Sequence, residues 1–310
     1  MTGDMAGGAE NENMLLQFTY QFATMDRFME GGSRRSLDEA KAYKKPDGTA
    51  YTSLPVSMEM VRYTMTAGYE FSSRFRTILS LPYVRNTMDM TSSLGALLGW
   101  QDMTMAPTSG VGDATLLGLY RLTGSEDREP AGSVFVGLGV KAPTGSSDER
   151  YANGRLVHFH MQPGTGSWDP LLVVQYTKQV DHFTLQTDAS YQYTTSNKEG
   201  YEAGDTTAIG LAGRYDVSKM FGISAGLTYI HTDKASDRNG KYYDPATNNN
   251  LMDDPANTGG DSLWFAPGLQ VIPMASLALE ARVKVPLWER VNGIQLVTSS
   301  IVSAGISYRF

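Results

Sequence analysis

The last twelve residues of the chain, Ser299 to Phe310, read SSIVSAGISYRF and decide the fold class. Counted back from the terminus, every second side chain is apolar: Phe310, Tyr308, Ile306, Ala304 and Val302. A period of two residues places these side chains on one face of a β-strand and the intervening Arg, Gly and Ser side chains on the other. In a transmembrane barrel, the last strand closes against the first and presents an apolar face to lipid. The alternative is an edge strand of a soluble β-sandwich.

The rest of the sequence repeats this alternation in about twelve segments. In residues 61–71, for example, Val, Tyr, Met, Ala, Tyr and Phe alternate with Arg, Thr, Gly and Glu. Short turns alternate strictly with long polar loops, the longest of which lie near residues 26–56, 85–112, 142–166 and 232–261. This pattern predicts an all-β fold: a transmembrane, antiparallel, up-and-down β-barrel of about 12 strands with short periplasmic turns and long extracellular loops. We expect residues 14–310 to form this single domain and residues 1–13 a flexible tail.

The composition excludes several other classes of protein. The formal net charge of −7 argues against a nucleic-acid partner. The absence of Cys excludes a disulfide framework and thiolate chemistry. No apolar run approaches the roughly 20 residues of a spanning helix, and the mean hydropathy of −0.29 does not exclude a barrel, whose membrane signal lies in the alternation.

The terminal strand also resembles the C-terminal signature of outer-membrane barrels, in which a terminal Phe marks the chain for assembly. The resemblance implies that Tyr308 and Phe310 are recognised by the barrel-assembly machinery. Met1 is not followed by a basic and then an apolar stretch. We therefore expect an integral outer-membrane protein that was exported with a signal peptide since removed.

Charged side chains occupy the strand face opposite the apolar one. Because an unpaired charge facing lipid is costly, we expect these side chains to line the lumen. They are Arg62, Glu70, Arg74, Arg76, Arg121, Asp188, Arg214, Glu280, Arg282 and Lys284. Two interpretations stay open: a selectivity ring that favours anionic or polarisable solutes, and a structural Arg–Glu lattice that fills a narrow lumen.

Two motifs bracket the third long loop: GLGVKAPTG at 137–145 and HMQPGTGSWD at 160–169. We interpret this loop, together with loop 85–112, as a gate over the pore. Its candidate residues are Pro143, Gly145, Gln162, Pro163, Gly164, Gly166, Trp168 and Asp169. The structural alternative is that the Pro and Gly residues form turns at the barrel rim.

These motifs resemble a family of bacterial outer-membrane transporters associated with meta-pathway phenol degradation. That family has a GxKxPTG strand end and a QPGTGSxD strand start, and Gly110 to Asp113 fit its GxGD element. The resemblance implies a barrel of about 12 strands and the passage of small aromatic compounds. The chain departs from the family pattern in its long first loop and its methionine-rich second loop.

Two methionine pairs in the second loop are candidate metal ligands. Met88, Met90, Met103 and Met105 are spaced as Met-x-Met, and thioethers are soft ligands suited to Cu(I). The alternative is apolar packing, because Met fills irregular gaps. The acidic loop 244–261 is a candidate calcium site, and the alternative is a plain solvated loop.

From the sequence we predict a channel for passive uptake or efflux of small solutes, aromatic or hydrophobic ones among them. We expect no enzymatic activity and no cofactor; the expected partners are the bilayer, the solutes and the assembly machinery. One alternative is a structural barrel whose Met-rich loops dock a redox or copper protein. Another is a hydrolase at the rim, with His231 and Asp233 in its site.

Overall fold

A computed structural model describes residues 13–95, 97–123, 132–246 and 249–310. Twelve strands, numbered β1 to β12 in chain order, form one closed antiparallel barrel. Their bounds are Met14–Glu30 (β1), Ser53–Ser72 (β2), Phe75–Ser93 (β3), Ala114–Thr123 (β4), Ser133–Ala142 (β5), Asp169–Val180 (β6), Phe183–Gln192 (β7), Thr206–Asp216 (β8), Phe221–Thr232 (β9), Gly260–Met274 (β10), Leu277–Val291 (β11) and Ile294–Arg309 (β12). Each strand pairs with its neighbours in the sequence, which confirms the predicted up-and-down barrel.

The barrel closes where β12 pairs with β1. The pairing runs from Leu15 opposite Arg309 to Glu30 opposite Ile294. Beyond it, the backbone N–H of Phe310 donates to the carbonyl of Met14 at 2.9 Å. Closure leaves the sheet without an unpaired edge, as a membrane-spanning sheet requires. Most of the predicted tail, residues 1–12, lies outside the described residues.

The two ends of the barrel differ in their connections. The short turns lie at one end, the turn end, together with Met14 at the start of β1 and Arg309 at the end of β12. The other end, the loop end, carries the loops 31–52, 94–113, 143–168, 193–205 and 233–259. The expectation of strictly alternating connections is wrong at one place, because Asn292 and Gly293 alone join β11 to β12 at the loop end. Gly293 has a φ of +58°, a left-handed conformation that suits glycine in so tight a reversal.

The barrel has a tall wall and a short wall. Strands β10 to β12 and β1 to β3 are 15 to 20 residues long, whereas β4 to β9 have 10 to 12. About ten tilted residues cross a bilayer core. The tall wall therefore continues past the membrane at the loop end. The predicted start of the loops 26–56 and 85–112 is therefore wrong, because β1 continues to Glu30 and β3 to Ser93.

Short elements decorate the loop end. A helix at Leu37–Ala42 starts with a capping box, in which the Ser36 hydroxyl and the Glu39 carboxylate each accept from the other residue's backbone N–H. The remaining pieces are strands Ser33–Arg35, Trp100–Thr104, Thr108–Val111, Tyr201–Glu202 and Ser236–Asp237, and 3-10 turns Phe159–Met161, Leu251–Asp253 and Pro255–Asn257. No helix among the described residues is long and apolar enough to cross a membrane.

The outer surface of the barrel is apolar. Large exposed side chains such as Leu79, Leu138 and Ile209 occupy its middle. Aromatic side chains lie near the turn end, at Tyr69, Phe71, Phe75, Tyr120, Phe183, Tyr215, Phe221, Tyr308 and Phe310. Such a girdle is typical of the membrane–water interface of an outer-membrane barrel. The rings of Tyr308 and Phe310 meet edge to face, with centroids 4.8 Å apart.

Candidate functional site

A cluster of buried methionines lies at the loop end of the barrel. Met58, Met88, Met90 and Met161 are buried together with Val157. Further methionines pack against these residues, at Met25, Met60, Met105 and Met252. Strands β2 and β3 supply three of the five buried residues and loop 143–168 supplies Val157 and Met161, so this loop folds against the inner wall at the barrel mouth.

A hydrogen-bonded contact fixes that loop against the wall. The carbonyl of Met161 accepts from the Asn86 amide at 3.2 Å and from the Thr108 hydroxyl. Asn86 and Met161 are both buried. A buried amide is stable only when it is hydrogen-bonded, so this contact anchors the tip of the loop as well as placing it.

Three loops meet above the methionines and form what we call the loop plug: the described parts of 143–168, 193–205 and 233–259. The ring of Phe159 stacks on Tyr201, with centroids 4.0 Å apart, and Tyr242 packs against both rings. His158 Nδ1 lies 2.7 Å from Asp253 Oδ2, and both side chains are buried. These contacts bind loops that are distant in sequence into one body.

Two titratable groups of loop 143–168 favour their neutral forms. Desolvation lowers the pKa of His160 below its ordinary value. Burial acts in the opposite direction on a neutral acid and raises the pKa of Tyr151 to about 12. Both groups are therefore expected to be neutral at physiological pH.

The two sequence motifs converge on a buried ionic network, the loop latch, formed by Asp113, Lys141, Thr165 and Asp169. Lys141 Nζ lies 2.5 Å from Asp169 Oδ2 and 3.5 Å from Asp113 Oδ2. The backbone N–H and the hydroxyl of Thr165 donate to Asp113 at 2.8 and 2.7 Å. Asp169 also accepts from the backbone N–H of Thr195 at 3.1 Å, which fastens the next loop.

The motif glycines allow two segments of backbone to touch. A Cβ atom at Gly145 would lie 2.8 Å from the Cα of Gly164, and one at Gly164 would lie 2.7 Å from the Cα of Gly145. Pro163 packs against Gly110 and Gly112. Of the predicted motif residues, Gly166 is the one with a turn-forming conformation, at φ +76°.

The other predicted motif residues divide between the interior and the surface. The buried Gln162 amide accepts from the backbone N–H of Glu149 and donates to the carbonyls of Glu149 and Val157. Pro143 lies between β5 and the latch, just before Thr144. Trp168 is 59% exposed, on the outside of the wall, beside the fully buried Asp169. The loop is thus held at its base and clamped within itself.

The lumen cations nearest the turn end surround one aromatic ring. The guanidinium carbons of Arg76 and Arg121 lie 4.2 and 5.2 Å from the ring centroid of Phe135. Arg76 also donates to Gln175 at 3.0 Å and lies 3.9 Å from Glu70. The predicted residues Glu70, Arg76 and Arg121 therefore share one region of the inner face.

Two further lumen arginines face carboxylates. Arg214 lies 3.0 Å from Asp216, and Arg282 lies 3.9 Å from Glu280, which also accepts from the Gln17 amide. These pairs agree with a charged lattice along the inner wall. Arg62 instead lies against a sulfur atom, 3.9 Å from Met60 Sδ.

The remaining lumen candidates have different surroundings. Lys284 lies over the Trp264 ring, 5.1 Å from its centroid. Asp188 lies over Gly210 of the neighbouring strand, where a Cβ atom would come within 2.6 Å of its carboxylate. The prediction that Arg74 lines the lumen is wrong. Strand β2 and its alternation end at Ser72, and the Arg74 side chain is exposed on the β2–β3 turn.

The structure divides the candidate metal ligands. Met88 and Met90 are buried in the methionine cluster and Met105 packs against it, but Met103 is 44% exposed. In the candidate calcium loop, Asp253 faces His158, and Asp254 accepts from the Tyr51 hydroxyl at 2.6 Å. Among the residues described, no group of three or more His, Cys, Asp or Glu side chains is placed to hold a metal ion.

The candidate hydrolase site has a different partner from the one expected. His231 Nδ1 lies 2.7 Å from Asp261, and its Nε2 lies 3.4 Å from Asp233. The Tyr229 hydroxyl donates to the same Asp261 at 2.6 Å. Because both ring nitrogens face carboxylates, neither is free to accept a proton from a serine.

Sequence analysis missed several residues of the plug. Phe159, Met161 and Thr165 lie in loop 143–168, but none of them is among its predicted candidate residues. The paired partners Asp253 and Tyr201 lie in other loops, and the sequence carries no signal of which loops meet. The segment Val157 to Met161, in which apolar side chains alternate with histidines inside a polar loop, is the signal that could have indicated an inward fold.

Comparison with known proteins identifies a matching family and solved structures with the same architecture. A model of the family described as MetA-pathway of phenol degradation matches residues 55–284, more than half of the chain. The crystal structure of an outer membrane channel from Pseudomonas putida F1 superposes with a TM-score of 0.61 at 18% identity, over 100% of this chain and 99% of that one.

A deletion mutant of the Pseudomonas putida monoaromatic hydrocarbon channel TodX gives a TM-score of 0.50 at 12% identity, over 97% of this chain and 91% of that one. No curated protein sequence matches the chain. At these identities the structural likeness establishes a shared outer-membrane barrel fold.

Proposed function

The chain belongs to the MetA-pathway of phenol degradation family, and from this premise we propose that it is a passive channel for small solutes, aromatic ones among them. It is an integral protein of the outer membrane. The proposal draws on the family, whose description concerns phenol, and on the TodX structure, whose title names a monoaromatic hydrocarbon channel. Both chemistries involve small rings.

The observation that carries the proposal is the interior of the barrel. Polar and charged side chains occur along the inner face from the latch to the turn end, and Arg282 among them remains half exposed. Intramembrane ionisable groups are costly to place and commonly mark solute pathways. We propose that the loop plug regulates entry at the loop end and that the lumen cations select among solutes.

Single-channel conductance in a planar bilayer tests this function. The refolded protein, with folding verified by heat-modifiable migration, is expected to show steady openings. Arg282→Gln is expected to shift the reversal potential in a salt gradient towards lower anion preference, because it removes a cation that is half exposed to the lumen. A folded protein that stays silent would reject the channel.

One observation favours a second candidate, a barrel that docks a partner. The hairpin after β3 exposes Leu94, Leu97 and Leu98 at its tip, above the tall wall. The methionines expected to serve docking are mostly buried, so the leucines replace them in this hypothesis. Removal of the tip is expected to abolish docking and leave conductance unchanged, which separates the two functions.

A further inference from the structure

The inner face near the turn end holds its cations on an aromatic ring. Arg76 and Arg121 approach the ring of Phe135, one at 4.2 Å and the other at 5.2 Å. A π face attracts a cation through its quadrupole but carries no net charge. The ring therefore positions both guanidinium groups without neutralising the charge of Arg121.

The same arrangement recurs higher in the barrel. Lys284 lies over Trp264, and Arg62 lies against the thioether of Met60. Arg62 and Lys284 lie near the middle of β2 and β11, whereas Arg121 lies near the turn end of β4. Cations on polarisable groups are thus distributed along the height of the lumen.

Two of these cations lack a carboxylate partner among the described residues. Arg62 and Arg121 form no ion pair there, in contrast to Arg76, Arg214 and Arg282, and Lys284 interacts electrostatically with Asp188. The Nε atoms of Arg62 and Arg121 are buried and donate no hydrogen bond within those residues. An unpaired, partly desolvated guanidinium is a strong site for an anion, particularly a planar carboxylate.

An apolar patch adjoins the charges. Ile78, Leu117, Leu119 and Phe135 are buried against one another on the inner face. Arg76 precedes Ile78 by two positions and Arg121 follows Leu119 by two, so strand periodicity places charge and patch on the same face. The region therefore combines an apolar surface, an aromatic ring and free positive charge.

We infer that this face selects aromatic carboxylates. The carboxylate pairs with Arg121, and the solute ring takes the place of that guanidinium on Phe135, beside the apolar patch. The inference rests on the proposed channel function and narrows its substrate class. It requires both parts of the solute at once.

Simpler solutes satisfy only half of the site. A neutral ring has to compete with the guanidinium groups for Phe135 and gives them no counter-charge in return. An aliphatic anion supplies the counter-charge but no ring to stack on Phe135. We therefore expect an order of preference in which aromatic anions precede both alicyclic anions and aromatic cations.

The test compares three solutes that are charged at pH 7.4: benzoate, cyclohexanecarboxylate and phenyltrimethylammonium. Each is added at pH 7.4 to a chloride-conducting channel in a planar bilayer, and the concentration that halves the current is measured. Saturation-transfer NMR of benzoate on the refolded protein in detergent measures binding independently of conduction. Benzoate is expected to bind and to block at the lowest concentration.

Matched variants locate the effect. Arg121→Gln and Phe135→Leu are each expected to weaken benzoate block by about fivefold or more, and Arg121→Lys to retain part of it. Arg74→Gln removes an equal charge from the exposed turn and is expected to leave block unchanged. Heat-modifiable migration verifies that each variant is folded.

The outcomes distinguish this inference from the proposed function. A conducting channel that responds equally to the three solutes, or an Arg121→Gln variant with unchanged benzoate block, overturns the inference and leaves the channel intact. A silent, folded protein overturns the channel. In that case, absence of benzoate binding by NMR overturns the selectivity as well.

Discussion

The loop end and the turn end of this barrel are filled in different ways. At the loop end, methionine side chains, stacked rings and paired polar groups pack three loops into one plug. Towards the turn end, Arg76 and Arg121 lie on the Phe135 ring, and Arg121 forms no ion pair with any residue that the structure describes. The plug is held together by contacts among its own loops, whereas the turn end leaves the buried Nε of Arg121 without a hydrogen-bond partner among the described residues. Under our proposals, a barrier and a selective surface therefore occupy separate parts of one lumen.

Removal of the plug loop tests this division most directly. Replacing residues 147–161 with a short Gly-Ser linker takes away the Phe159 stack, Met161 and His158 but keeps the latch. Single-channel conductance is expected to rise severalfold, because the remaining constriction is the wider lumen. Deletion of the hairpin tip at 95–98 is the control and is expected to change nothing. Unchanged conductance in the loop variant would place the barrier elsewhere.

The latch joins the two regions, and breaking it is expected to cost the most stability of any single substitution. Asp169→Ala leaves the buried Lys141 with the Asp113 carboxylate, 3.5 Å away, in place of two carboxylates. We expect a loss of about 3–5 kcal/mol in the free energy of unfolding. Urea unfolding in detergent micelles, followed by tryptophan fluorescence, measures it. The control is Asp148→Ala, which breaks an exposed pair with Lys198 and is expected to cost under about 1 kcal/mol. Equal losses in the two variants would contradict the buried network.

A smaller effect distinguishes packing from metal binding in the methionine cluster. Met161→Ala is expected to destabilise the plug by about 2–4 kcal/mol, because it leaves a cavity. Met161→Leu keeps the volume and is expected to cost under about 1.5 kcal/mol. Thermal unfolding of both variants, with and without Cu(I), provides the measurement. Stabilisation by Cu(I) that Met161→Leu abolishes would favour a thioether site over apolar packing.

The strand pattern was readable because a lipid-facing barrel repeats every two residues. The side chains of Tyr308 and Phe310 and the apolar side chains of segment 61–71 lie on the outer face as predicted. Parity is a local rule, however, and it failed at Arg74, where the strand had ended. It also gave no warning that β3 continues through Met88 and Met90, because a tall wall that faces a plug loses the contrast between lipid and water.

The motif between 137 and 169 was recognisable, but its chemistry was not. Gly145 and Gly164 were read as turn formers, whereas their role is to let two backbone segments touch. That contact joins residues far apart in sequence, so no local propensity reports it. Thr165 contributes to the latch through a backbone N–H as well as its hydroxyl, and a sequence does not reveal where a backbone donor points.

The sequence by itself determined the barrel, its family and, within the strands, which side chains face inward, since period-two alternation and short motifs are local properties. The tertiary structure decided how the interior is divided. Whether Arg121 meets a carboxylate or Phe135, and whether Asp253 meets solvent or His158, depends on neighbours brought together by strand register and loop folding. Charge and burial are properties of those neighbours, and they emerge only once the barrel has closed.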